Sequence, residues 1–188
     1  MMSILMTALY VLLALIVIAI MYWISIFNML VQARQRVKEA WNTIDTQLKR
    51  RYDLIPNLVE TVKGYAQHEK GTLQAVIDAR AGAMNASPAA KSASENFLTE
   101  TLKSLFALTE NYPELKANQN FLDLQQEIAD TETKIQATRQ FYNTMVMDFN
   151  TKIETFPNSI IAKSTGFEVA SYFELETEDE KKAPKVQF

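Results

Sequence analysis

An uncharged apolar run near the start of the chain limits what this sequence can fold into. Residues 4–27 contain no Asp, Glu, Lys or Arg. About 20 apolar helical residues already cross a hydrocarbon core of roughly 30 Å. Residues 31–33 (VQA) resemble a signal-peptide cleavage site, but a signal peptide has a charged start and an apolar run of about 7–15 residues. The run therefore predicts an uncleaved transmembrane helix over 4–27, preceded by a short extracytoplasmic N-terminus at 1–3.

The flanking charges predict the orientation of this helix. No Lys or Arg precedes the run, and the basic residues that follow it are Arg34, Arg36, Lys38, Lys49, Arg50 and Arg51. An excess of basic residues marks the cytoplasmic side, so we expect the soluble part in the cytoplasm and the N-terminus outside. The residues predicted at the membrane interface are Tyr22, Trp23, Arg34, Arg36 and Lys38. The basic ones either contact anionic headgroups or only stop translocation.

The remainder of the chain reads as helix. With 4 Gly and 5 Pro in 188 residues, it lacks the turn residues that an all-β protein needs. Apolar residues at steps of three and four predict an all-α fold with four helices at about 28–52, 54–84, 90–111 and 118–155. We expect the transmembrane helix to continue into a long antiparallel, coiled-coil-like four-helix bundle over 28–156. A docking tail at 157–175 and an acidic, disordered tail at 176–188 complete the prediction.

The last of these helices carries a heptad seam. Its apolar positions alternate steps of three and four without interruption: Phe121, Leu124, Ile128, Thr131, Ile135, Thr138, Tyr142, Met145 and Phe149. This spacing is typical of helices that pack knobs into holes. Asn118 stands at the start of the helix with a side chain that suits an N-cap.

A proline predicts a corner between the first two helices. Pro56 lacks an N–H and clashes with the preceding turn, so it is tolerated only in the first turn of a helix. Asp53 precedes it and has a side chain suited to capping a helix N-terminus. We therefore expect a helix corner at Arg51, Asp53 and Pro56, with Lys49, Arg50 and Arg51 solvated at the end of the first helix.

The residue types give little support to catalysis. There is no cysteine and one histidine, His68, and bundle di-iron sites need Glu-x-x-His pairs on two helices. There are no clustered glycines to cradle phosphate. With a net charge of −3 and a pI near 5.3, the chain has no basic field for nucleic acid. The sequence predicts a non-enzyme without cofactor, metal or nucleic-acid partner.

At several segments the chain resembles the LemA family of bacterial membrane-anchored proteins. These segments are QLKRRYDLIPNLVETVKGYAQHE (47–69), AVIDAR (75–80), YPELKANQNFLDLQQEIADTETKI (112–135), RQFYNTMVMDFN (139–150) and FPNSIIAKSTGFEVASYF (156–173). The signature residues within them are Arg50, Arg51, Asn57, Lys63, Arg80, Asn118, Arg139, Tyr142 and Asn143. Asn57, Asn143 and Asn150 either fix helix register or face water, and the sequence leaves both open.

The resemblance implies a single-pass protein of the bacterial inner membrane with a helical cytoplasmic domain and no established catalytic residues. Relatives are tied to membrane invagination or encoded near membrane metalloproteases. We expect a self-associating scaffold or membrane-shaping protein, contacting lipids and copies of itself. The alternative is an adaptor for a membrane protease or an envelope-stress system.

Overall fold

The computed structural model describes residues 2–87 and 90–173, which are helical apart from short connections. This confirms the predicted all-α class. The helices are α1 (Met2–Tyr65), α2 (Lys70–Asn85), α3 (Lys91–Thr109), α4 (Pro113–Lys116), α5 (Gln119–Glu154) and α6 (Asn158–Ser164). They form two compact units. Unit 1 contains the described residues up to Asn42 together with 141–172, and unit 2 contains 43–140 together with Phe173.

Unit 1 has an apolar core where the uncharged run ends. Its buried residues come from α1 (Ile26, Leu30, Ala33), α5 (Phe149, Ile153) and α6 (Ile161, Ala162). Phe167 packs against this cluster, within 6.0 Å of the Phe27 ring centroid. Upstream of this core, large side chains of the run are exposed, so apolar surface of α1 has no protein partner within the described residues.

Unit 2 pairs α1 with α5 in opposite directions. Asn118 donates to the Tyr65 hydroxyl at 2.9 Å, and Arg51 bonds Glu132. The step from Tyr65 back to Arg51 along α1 is fourteen residues, and so is the step from Asn118 forward to Glu132 along α5. The two helices therefore run antiparallel. Helix α2 packs against α3. The side chain of Asn118 also accepts from the Phe121 N–H at 3.0 Å, which is an N-cap at the start of α5.

The predicted corner at Arg51, Asp53 and Pro56 is wrong. Helix α1 runs through all three residues, and Pro56 lies in its interior. A proline at this position deprives the Tyr52 carbonyl of its usual partner, the N–H four residues on. Arg80 of α2 replaces that partner, since its Nε donates to the Tyr52 carbonyl at 2.8 Å. Asp53 is an exposed mid-helix residue.

The helix break lies thirteen residues later than predicted, since the first helix ends at Tyr65 instead of at residue 52. Instead of one helix over 54–84, α1 ends at Tyr65 and α2 begins at Lys70. His68 is exposed in the intervening turn, where the Glu69 N–H donates to the Ala66 carbonyl at 3.1 Å. The expected helix at 90–111 is α3, and Pro113 opens the short α4. The predicted acidic tail, 176–188, lies outside the described residues.

Candidate functional site: a buried ion cluster and a fastened C-terminal segment

A buried arginine joins three helices of unit 2. Arg51 of α1 is 0% exposed and donates to Glu95 of α3 and Glu132 of α5. It also donates to the Thr99 hydroxyl at 3.0 Å. The guanidinium is a planar fork of donors, which suits it to several acceptors at once. Buried charges need such pairing, because desolvating an unpaired ion costs several kcal/mol. Arg51 therefore holds α1, α3 and α5 together.

Two further side chains complete the surroundings of Glu95. The Tyr52 hydroxyl donates to Glu95, and Lys91 Nζ lies 3.7 Å from the same carboxylate oxygen. Lys91 also donates to the Ala83 carbonyl of α2 at 2.9 Å and lies 5.3 Å from the Tyr52 ring centroid. The cluster of Arg51, Tyr52, Lys91, Glu95 and Glu132 thus contains two cations and two anions. The formal charges balance, as a buried network requires.

The chemistry of the cluster suits a structural role, in which paired charges join helices. Among the described residues there is no group of three or more His, Cys, Asp or Glu side chains that could hold a metal ion. Burial raises the pKa of the Tyr52 phenol, and its hydrogen bond to Glu95 raises it further. A phenol with a raised pKa keeps its proton and remains a donor at neutral pH.

We expect the stability provided by Tyr52 to decrease at alkaline pH. The folded state holds the phenolic proton more tightly than the unfolded chain, whose tyrosine pKa is about 10.0. The contribution is therefore complete below pH 10 and is lost as the pH rises above it. The free energy of unfolding of the wild type in detergent micelles should fall towards that of Tyr52→Phe by about 1.4 kcal/mol per pH unit above 10. A difference between the two proteins that stays constant from pH 8 to 11 would contradict this.

In unit 1, polar side chains of α5 fasten the segment that follows α6. Asn150 Nδ2 donates to the Ala170 carbonyl at 2.9 Å, and the Ala170 N–H donates to Asn150 Oδ1 at 2.8 Å. The Tyr142 hydroxyl donates to the Ser171 carbonyl at 3.0 Å. Arg34 of α1 lies 5.0 Å from the centroid of the Phe167 ring. Residues 167–171 are thus held within unit 1 by three hydrogen bonds between α5 side chains and their main chain and by one cation–π contact.

Replacing Asn150 by aspartate should release this segment. A carboxylate can accept from the Ala170 N–H but cannot donate to its carbonyl, and it brings a partly buried charge. We expect a loss of about 1–3 kcal/mol in unfolding free energy and faster amide exchange over 165–172. Hydrogen exchange measured by mass spectrometry tests this, with the exposed Asn57→Asp as the matched control. Equal exchange in both variants would show that Asn150 does not fasten the segment.

The structure distributes the other predicted site residues over both units. In unit 2, Arg139 lies 4.6 Å from the Phe173 ring centroid, Arg50 pairs with Glu127 at 2.9 Å, and Lys63 pairs with Glu60 at 3.1 Å. Asn57 of unit 2 is exposed, and Asn143 of unit 1 is partly buried. In unit 1, Tyr22 and Trp23 are exposed, and so are Arg34, Arg36 and Lys38. Their contact with a membrane remains a prediction.

A surface groove lies between the end of α1 and α2. It encloses about 460 Å³ and is lined by apolar side chains such as Val59 and Leu73 together with Glu60, Lys63 and Lys70. Its acid and one of its bases already pair with each other, Lys63 with Glu60. The groove has the size of a small-ligand site, and its acid, Glu60, is already neutralised by Lys63.

The comparisons with known proteins identify the family. The family model described as "LemA family" matches residues 40–188. The chain belongs to the LemA family. This confirms the resemblance seen in the sequence. One relative in this family is Protein LemA of Metamycoplasma hominis, which is 28% identical over 161 residues. That alignment covers 82% of this chain and 72% of the relative.

Proposed function

We propose that this LemA-family chain is a non-enzymatic, single-pass membrane protein that acts as a self-associating scaffold or membrane-shaping protein. Among the described residues, α1 is the one helix long and apolar enough, by length and composition, to cross a membrane. Helix α1 carries that apolar run without a break into the residues that form the buried ion cluster. The helix that would lie in the lipid is therefore the same helix that organises unit 2, and this observation carries the proposal.

The proposed topology follows from the charges around the run. The basic residues after it, Arg34, Arg36 and Lys38 among them, support a bacterial inner-membrane protein with its N-terminus outside and its helical part in the cytoplasm. We further propose that α1, α2, α3 and α5 form an antiparallel four-helix bundle in unit 2. The opposite directions of α1 and α5 and the packing of α2 on α3 support it.

Exposed aromatic rings outside the run support self-association. The residues of the α5 heptad seam are covered by other parts of the same chain, since none of them is exposed. Phe97 and Phe141, by contrast, are 62% and 51% exposed. Aromatic residues are enriched where protein surfaces meet. We propose that copies associate through these outward surfaces.

Co-purification of two differently tagged full-length copies from mild detergent tests self-association. We expect each tag to recover the other, and Phe97→Ser with Phe141→Ser to weaken the recovery. The matched control is Glu100→Ser, at an exposed α3 residue in a surface ion pair. A protein that is strictly monomeric and leaves liposome shape unchanged would contradict the scaffold role. Crosslinking in cells that recovers one dominant membrane-protein partner would favour the adaptor role instead.

A further inference from the structure

The turn between α5 and α6 exposes two large apolar side chains in unit 1. Phe156, in the turn, is 76% exposed, and Ile160, in the first half of α6, is 62% exposed. Ile153 and Ile161 on either side are buried in the unit 1 core. The turn is therefore fixed to α1 by its neighbours while Phe156 and Ile160 point away from the protein.

The pairing of α1 with α5 in unit 1 gives the level of this turn. The rings of Trp41 and Tyr142 meet at 5.4 Å between centroids. The two helices pair in opposite directions, because the α5 residues nearer the C-terminus, Phe149 and Ile153, pack with the earlier α1 residues of the core. Fourteen residues forward from Tyr142 is Phe156, and fourteen back from Trp41 is Phe27. Helix α5 ends at Glu154, so the turn that contains Phe156 begins near the level of Phe27, the last residue of the uncharged run. Phe27 is about 6 Å along the α1 axis from Trp23.

We infer that the α5–α6 turn is a second membrane-contacting element, in which Phe156 and Ile160 enter the boundary between headgroups and acyl chains. The inference rests on the proposed function, because the anchor at 4–27 defines where that boundary lies. Apolar side chains of interfacial elements enter this boundary by about 5–10 Å. The contact would restrict how α1 rotates about its own axis relative to the bilayer.

The surroundings of the turn match an interface. Trp23 stacks on Phe27 with 5.5 Å between ring centroids, so two aromatic rings lie within about one helical turn of the level of Phe27. Trp and Tyr favour the level of the headgroups. Lys163 is exposed near the end of α6, and Arg34 lies over Phe167 of the following segment. Lys163 follows Phe156 by seven residues, and Arg34 follows Phe27 by seven residues along α1. Both cations suit contact with anionic headgroups.

Labelling of single cysteines tests the depth of the turn. The chain has no cysteine, so Phe156→Cys and Ile160→Cys each provide one site in the full-length protein. The label is the fluorophore NBD, and the protein is reconstituted in vesicles of phosphatidylcholine and phosphatidylglycerol, with or without doxyl-labelled lipid. The matched control is Phe97→Cys, an apolar position in unit 2 with the same exposure as Ile160, 62%. Leu13→Cys reports on the anchor itself.

We expect doxyl lipid to quench NBD at 156 and 160 as strongly as NBD on the reference variant Trp23→Cys, and to leave position 97 unquenched. Quenching at 13 without quenching at 156 and 160 would overturn this inference and leave the anchor intact. No quenching at 13 would instead overturn the anchor. Emission at 156 that is shifted to shorter wavelength but unquenched by lipid would place a protein surface there, and that result also overturns the inference.

Discussion

Replacing Arg51 by methionine is expected to lower the free energy of unfolding by about 3–5 kcal/mol. The substitution leaves Glu95, which is 0% exposed, with a buried charge that has lost its closest cation. Removing one partner of a buried pair costs more than the pair itself contributes, because the remaining ion is no longer compensated. Denaturant titration of the full chain in detergent micelles, followed by circular dichroism, measures the change.

Arg50→Met is the matched control for this experiment. Arg50 is the neighbouring residue with the same chemistry, but its ion pair with Glu127 joins side chains that are 50% and 48% exposed. Exposed pairs contribute at most about 1 kcal/mol, so Arg50→Met should change stability little. Equal losses for the two variants would contradict a special role for Arg51. Adding Glu95→Gln to Arg51→Met should restore part of the stability, because it removes the uncompensated charge.

Arg80→Ala is expected to cost about 1–3 kcal/mol in the wild type and much less when Pro56 is also replaced by alanine. In the wild type, Arg80 donates to the Tyr52 carbonyl, because Pro56 has no N–H that could do so. An alanine at 56 restores the ordinary helical hydrogen bond to that carbonyl, so Arg80 becomes dispensable there. The unfolding free energies of the four proteins in this double-mutant cycle give the coupling directly.

The cycle has a clear contrary result. If Arg80→Ala costs the same with proline and with alanine at position 56, Arg80 does not compensate for the proline. Lys63→Ala, which removes an exposed ion pair near the same end of α1, provides the control and should show no coupling to Pro56.

The sequence predicted the features that depend on local periodicity. The all-helical class and the α5 seam follow from steps of three and four, and no seam residue is exposed. The same helical periodicity indicates that Arg51 is buried. Arg51 falls on the stripe of buried α1 positions Ile44, Leu48, Ile55 and Leu58. The charge of Arg51 favours a solvated corner, whereas its position in the stripe indicates burial.

The position of the helix break depended on a contact that local patterns do not contain. The rule that a proline ends a helix assumes that the freed carbonyl stays unsatisfied. Here the compensating donor, Arg80, lies 28 residues away on another helix. Likewise, the partners of Arg51 come from α3 and α5, so neither the length of α1 nor the ion cluster could be read from the residues around position 51.

The cluster around Arg51 also sets an order of events during synthesis. Glu95 and Glu132 follow Arg51 by 44 and 81 residues, so the ribosome delivers the arginine long before either acid. The ion cluster can therefore be completed only after the chain has been synthesised past residue 132.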